Sequence, residues 1–228
     1  MLVNDYMTPN PMTVNEGTSI VEAAESMKQM KIRRFPVMRG KQLVGLVSDR
    51  DLRSAAPSQV ISFDAQERQL MPELHSLLAA MTVRDVMSQH VITIQPEQTI
   101  VAAAQLMLKH RISGLPVVDA QGKLVGIITQ TDVFKVLVDL SGVRSGKTVF
   151  AFRLADRPGS IKEVADVIRE HGGRLASILT SYSQAEESFR RVYIRIRDLP
   201  VPQLLGLEDA LRKQFELLYV VNDGPGDS

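Results

Sequence analysis

The chain has 228 residues, 44% of them apolar, and a formal charge of +1. That length accommodates two or three domains, and that apolar share belongs to globular chains, not disordered ones. The absence of cysteine excludes disulfides, thiolate metal sites and cysteine catalysis, and the near-neutral charge supplies no long-range field for nucleic acid or an anionic membrane.

The opening segment, MLVNDYMTPNPMTV, lacks a basic stretch followed by an apolar one, so it does not read as a signal peptide. No apolar run approaches the roughly 20 residues that span a bilayer. A soluble, cytoplasmic protein with no nucleic-acid or membrane partner is the expectation.

Helical spacing of Ile20, Ala23, Ala24 and Met27 predicts a helix from about Thr18 to Met30. Two β-rich runs follow, FPVM and QLVGLV, with a tight turn at Arg39-Gly40-Lys41. A second helix starts at the Ser48–Asp51 stretch. The same grammar then returns. A shift of 80 residues places Val3, Asp5 and Met7 on Val83, Asp85 and Met87, and Ile32 and Pro36 on Ile112 and Pro116. One residue inserted in the second turn moves the shift to 81, where Leu43-Val44-Gly45 and Asp51 fall on Leu124-Val125-Gly126 and Asp132. So many ordered matches mark a tandem duplication. The first copy is expected over residues 1–53 and the second over 82–141, with a helical connector at 54–81 that has no counterpart.

From about residue 146 the pattern changes. TVFAFRLA alternates as a strand does, DRPG makes a turn, and Ile161, Val164, Ala165 and Ile168 mark a helix that stops at Gly172-Gly173. Two strands, LASILTSYS and FRRVYIRIRD, are joined by a polar turn at Gln184–Ser188. A helix over Pro202–Phe215 and a last strand, LLYVV, complete a βαββαβ order over 146–222, with a frayed tail at 223–228. The fold class is α+β.

The endings SDRD and TQTD each place a hydroxyl residue three positions before an Asp. That spacing makes a helix capping box. It also puts a two-oxygen carboxylate where it could accept hydrogen bonds from a ribose cis-diol, and both roles can coexist. Basic residues differ between the copies: Lys31, Arg33, Arg34 and Arg50 in the first, Arg111 followed by Ser113 and Gly114 in the second. Guanidinium groups suit phosphate, and a solvated charged edge is the simpler alternative. The two clefts are therefore expected to be unequal. Asp49 adds a negative charge near the phosphate position and favours a ligand less charged than ATP.

Residues 3–138 resemble a tandem pair of CBS domains, the Bateman module. The resemblance rests on VNDYMTPNPMTV with VRDVMSQHVITI, IRRFPV with ISGLPV, the LVG runs and the paired Ser/Thr-x-x-Asp endings. It implies two copies packed with pseudo-twofold symmetry and clefts that bind an adenosyl ligand such as AMP, ADP, ATP or S-adenosylmethionine. The ribose-binding Asp then falls on Asp51 and Asp132, with hydroxyls at Ser48 and Thr129. Ile32, Ile112, Pro36 and Pro116 would flank the adenine, and Arg33 and Arg34, with Arg50 and Arg111 nearby, would meet phosphate.

Residues 147–222 resemble an ACT domain, a ferredoxin-like fold, through Asp156-Arg157-Pro158-Gly159, the following helix and its Gly172-Gly173 stop. This implies edge-to-edge pairing in a homodimer and an effector site at Asp156–Gly159, where free N–H groups at a helix start could hold an amino-acid carboxylate. An ordinary turn is the alternative, and Arg174 stands where that family usually has Asn. The four histidines, His75, His90, His110 and His171, are scattered, and no GxSxG or GxxxxGK[ST] motif is present. No catalytic set, metal site or catalytic cofactor is expected. The order CBS–CBS–ACT is similar to the acetoin-utilisation (AcuB) family, which implies a stand-alone regulator. A docking protein whose clefts bind nothing is the other reading.

Overall fold

The computed structural model describes residues 1–55, 80–183 and 187–222. The expected connector, the Gln184–Ser188 turn and the tail fall wholly or largely outside these, as does His75. Two compact units emerge, Met1–Val133 and Phe134–Ser228.

In the first unit, α1 (Val3–Tyr6), β1 (Thr8–Pro9) and β2 (Val14–Asn15) precede α2 (Ile20–Met30), β3 (Arg34–Arg39), β4 (Gln42–Ser48) and α3 (Asp49–Ala55). The second copy supplies α4 (Val83–Val86), α5 (Ile100–His110), β5 (Gly114–Val118), β6 (Leu124–Thr129) and α6 (Gln130–Leu140). Ser19 caps α2, its Oγ accepting from the Glu22 N–H at 3.1 Å, and Thr99 caps α5 in the same way through the Ala102 N–H. Each of these helices buries one apolar stripe: Ile20, Ala23 and Met27 in α2, and Ile100, Ala103 and Met107 in α5.

The copies exchange their opening segments. β1 of the first copy pairs antiparallel with β6 of the second, Thr8 opposite Ile127. Reciprocally, Ser88 bridges Leu46 of β4. Val3 N–H donates to Gln98 O and Val83 N–H to Thr18 O, both at 2.8 Å. Val83 therefore joins the core of the first copy, with Phe35, Val47 and Leu52. Two glycines permit the exchange. A Cβ on Gly126 would lie 2.3 Å from Sδ of Met7, and one on Gly45 would lie 2.3 Å from Sδ of Met87. Neither the single-turn helices nor the two-residue strands are long enough to carry a periodic signal, so sequence periodicity does not reveal them. At the start of α4, the N–H and hydroxyl of Thr82 both donate to Asp85 at 2.8 Å. Those bonds, the backbone one foremost, hold the Asp85 carboxyl below its ordinary value.

In the second unit, β7 (Thr148–Ala155), α7 (Ser160–Glu170), β8 (Leu175–Ser181), β9 (Phe189–Ile196), α8 (Val201–Gln214) and β10 (Glu216–Asn222) follow the expected βαββαβ order. The sheet order is β10-β7-β9-β8, every pair antiparallel. Phe150, Phe152 and Ile194 of the sheet pack against Val164 and Ile168 of α7 and Leu207 and Leu211 of α8. Arg195, only 5% exposed, turns a buried charge to structural use. Its guanidinium donates to the carbonyls of Ser141 at 2.8 Å and Gly146 at 3.0 Å, fastening the segment before β7 to the sheet.

Candidate functional site

Each expected cap forms. β4 ends on Ser48, whose N–H and hydroxyl donate to Oδ2 of Asp51 at 2.8 and 2.7 Å, while the Asp51 N–H reaches back to Ser48 Oγ at 3.3 Å. β6 ends on Thr129, whose N–H and hydroxyl donate to Oδ2 of Asp132 at 3.0 and 2.7 Å. In both copies the cap uses a single carboxylate oxygen. A ribose hydroxyl at Asp51 would therefore be met by Oδ1, because a carboxylate oxygen has two acceptor sites and the cap fills both on Oδ2.

Two clefts open between the copies. One, of about 530 Å³, holds Ser48, Asp51, Ser88, Arg111 and Ile112 in its wall. The other, of about 690 Å³, is bounded by the repeat counterparts Thr129, Thr8, Lys31 and Ile32, with Ile127 in place of Leu46. Both volumes lie in the usual range for small-molecule sites. Lys31 and Arg111 close α2 and α5 in the left-handed conformation, φ 54° in each. A left-handed backbone at a residue with a side chain is uncommon, and here it recurs at matching positions on the two clefts.

Arg33, Arg34 and Arg50 border both clefts. Pro36 and Pro116 are instead buried in β3 and β5 and border neither, and Asp132 stands behind Thr129, outside the wall of the larger cleft. Asp49 does border the smaller cleft, but the Arg53 guanidinium one turn along α3 pairs with it. The smaller cleft thus holds five arginines and two aspartates, and the Arg53–Asp49 pair leaves four arginines beside Asp51. The exposed Arg53 guanidinium offsets part of the repulsion expected of Asp49. Arg53 escapes notice in the sequence because only the i,i+4 geometry of a formed helix brings it to Asp49.

The Arg34 side chain leaves the first copy. Its Nη2 donates to Ser113 Oγ at 2.9 Å, across a separation of 79 residues. The guanidinium lies against Gly114, where a Cβ would come within 2.0 Å of Nη1. Burial, and then the neighbouring Arg33, lower the Arg34 value, while Asp132 and Asp51 act in the opposite sense. An arginine remains charged through such a shift. A larger cavity of about 890 Å³ around Val14, Glu22, Met38, Lys41 and Lys123 carries neither cap.

In the second unit, Gly159 precedes α7 with φ 89° and supplies no side-chain cap. Arg157 donates to both Glu163 oxygens at 2.8 Å, and Asp156 lies 3.3 Å from Arg190. The side chains of Asp156 and Arg157 are thus engaged locally, and the Ser160 N–H donates to the Arg157 carbonyl at 3.4 Å, closing the turn. Among the described residues no group of three His, Cys, Asp or Glu is placed to hold a metal, and no helix is long and apolar enough to cross a membrane.

A family model for the CBS domain matches residues 3–58 and 83–139. A CBS domain-containing protein of Dictyostelium discoideum is 32% identical over 139 residues, spanning 60% of this chain and 92% of that protein. Among solved structures, a Vibrio cholerae protein assigned to acetoin utilization (AcuB) is 31% identical, with 63% of this chain and 95% of that one covered and a TM-score of 0.50. CBSX2 of Arabidopsis thaliana, crystallised with AMP, is 31% identical over 61% of this chain and 98% of its own, at a TM-score of 0.49.

Proposed function

Because this chain belongs to the CBS domain family, we propose that it is a non-catalytic, ligand-sensing regulator whose tandem CBS pair binds an adenosyl ligand (AMP, ADP, ATP or S-adenosylmethionine) between its copies. The observation that carries this reading is the convergence of Arg33, Arg34 and Arg50 on two clefts that each end at a hydroxyl-bearing cap. Guanidinium groups would receive phosphate, the second oxygen of Asp51 a ribose hydroxyl, and Ile32 or Ile112 the base.

The domains divide as 1–53, 82–141 and 146–222, the last an ACT domain coupled to the pair. The antiparallel 4-1-3-2 strand order, the glycine turn before α7 and the exposed Ile178 and Leu179 on the edge strand β8 support that part of the reading. Two ACT domains paired by their edges give a homodimer. Light scattering after gel filtration should then return about twice the chain mass of 25.3 kDa, and a monomer at micromolar concentration would remove this part. An amino acid at residues 156–159 and a role in acetoin utilisation belong to the same proposal, as does a cytoplasmic setting.

A thermal-shift panel tests the reading. AMP, ADP, ATP, S-adenosylmethionine and NADH, followed by amino acids, are each added at saturating concentration. A ligand at 100 times its dissociation constant stabilises by about 2.7 kcal/mol, a rise of several degrees. The response should vanish in an Asp51→Ala, Asp132→Ala variant that still folds. No response to any adenosyl compound favours the second reading, a docking protein acting on an enzyme or transporter. The exposed Phe134, Leu137 and Val138 of α6 speak for that alternative.

A further inference from the structure

We propose that Arg34 is one phosphate-binding residue serving both clefts, so that an anionic adenosyl ligand in either cleft weakens binding in the other. This rests on the functional reading above and adds to it a rule of occupancy.

The duplication places Arg34 opposite Gly114 and Arg33 opposite Ser113. In a symmetric pair two arginines would meet there. The space admits one, since the Arg34 guanidinium already lies where a side chain on Gly114 would begin, and its Nη2 is hydrogen-bonded to Ser113. The same side chain borders both clefts, and Asp51 and Asp132, one from each cap, both act on its charge. A guanidinium presents one planar fork to a phosphate and grips it bidentately in one orientation at a time. A phosphate that captures the fork from one side takes it from the other, and its own negative charge then faces the second site across a partly dehydrated space. The coupling is reciprocal, as binding linkage requires. It acts through charge: an uncharged adenosyl compound has nothing for the fork to hold.

Titration calorimetry with AMP and with adenosine decides the matter. For the native chain, AMP should fill one cleft, with the second at least about tenfold weaker or undetected, a ratio within the usual range of coupling between sites. Adenosine should bind two sites whose affinity ratio, set by the differing walls of the clefts, is at least about threefold smaller than the AMP ratio. In Arg34→Met, which keeps much of the stem packing, the two AMP affinities should converge towards those of adenosine. Arg34→Gln provides the same comparison should the methionine variant not fold. Two equal AMP sites in the native chain, an adenosine ratio as large as the AMP ratio, or an AMP ratio unchanged by either variant would each overturn the inference and leave the adenosyl-binding reading standing. Failure of AMP and adenosine to bind would overturn the inference, and only the absence of a thermal shift with every adenosyl compound of the panel would overturn that reading with it.

Discussion

Truncation of Phe152 to alanine is expected to destabilise the Phe134–Ser228 unit by about 3–5 kcal/mol, the usual cost of deleting a buried phenylalanine. The ring has no solvent exposure and stands in β7, a central strand with β10 on one side and β9 on the other. It stacks near Phe150, with centroids 6.4 Å apart, and meets Phe215 edge-on at 6.2 Å. Tyrosine fluorescence reads the loss. The chain has no tryptophan, and three of its four tyrosines, Tyr182, Tyr193 and Tyr219, belong to this unit. The urea midpoint of that signal should fall sharply while the AMP-induced thermal shift of the first unit persists. An AMP response lost in step with the tyrosine signal would contradict this.

Phe35→Ala should have the opposite functional profile at a similar energetic cost, about 3–5 kcal/mol. Phe35 is 1% exposed and packs with Ile20, Val47, Leu52 and, from the second copy, Val83. It is next to Arg34 at the start of β3, where Arg34 pairs with Ser48 and Phe35 with Val47 across the ladder. Loosening that end of the hairpin disturbs Arg34 and the cap together. Affinity for AMP should therefore fall at least about tenfold under conditions where circular dichroism still reports folded protein. Unchanged affinity would show that β3 holds its geometry without the ring.

Much of this was legible from residue patterns. The strand TVFAFRLA is β7 to the residue, and the helix marked by Ile161 to Ile168 is α7 with one added residue at its start and two at its end. Both are long enough for their period to speak. The duplication and both capping boxes were equally readable, because each depends on spacing within a few residues. What local spacing does not contain is who packs on whom. The crossing of Thr8 to Ile127 and of Ser88 to Leu46 joins segments more than forty residues apart, and no periodicity encodes it. The partner of Asp49 is hidden for a related reason: its charge is visible in the sequence, but the Arg53 side chain that pairs with it is selected by helix geometry. Pro36 and Pro116, which the resemblance sets beside the adenine, are buried within their strands. Arg34 was marked as a phosphate contact, yet its span between the copies depends on a missing side chain at Gly114, which becomes informative only once the two repeats are laid over each other in space.

The exchange of opening segments has a bearing on how such a chain can change. Thr8, from the first copy, stands in the same cleft wall as Ile127 and Thr129 of the second, and Ser88 stands with Leu46 and Ser48 of the first. Neither binding wall is the property of one half. A change in the first few residues of either half alters the cleft wall that the opposite half completes, so it is felt in both halves. Deleting one would also strip the survivor of a sheet partner and of the methionine that packs over its glycine. What began as a doubling is now a single structural unit, in which each half finishes the other's sheet.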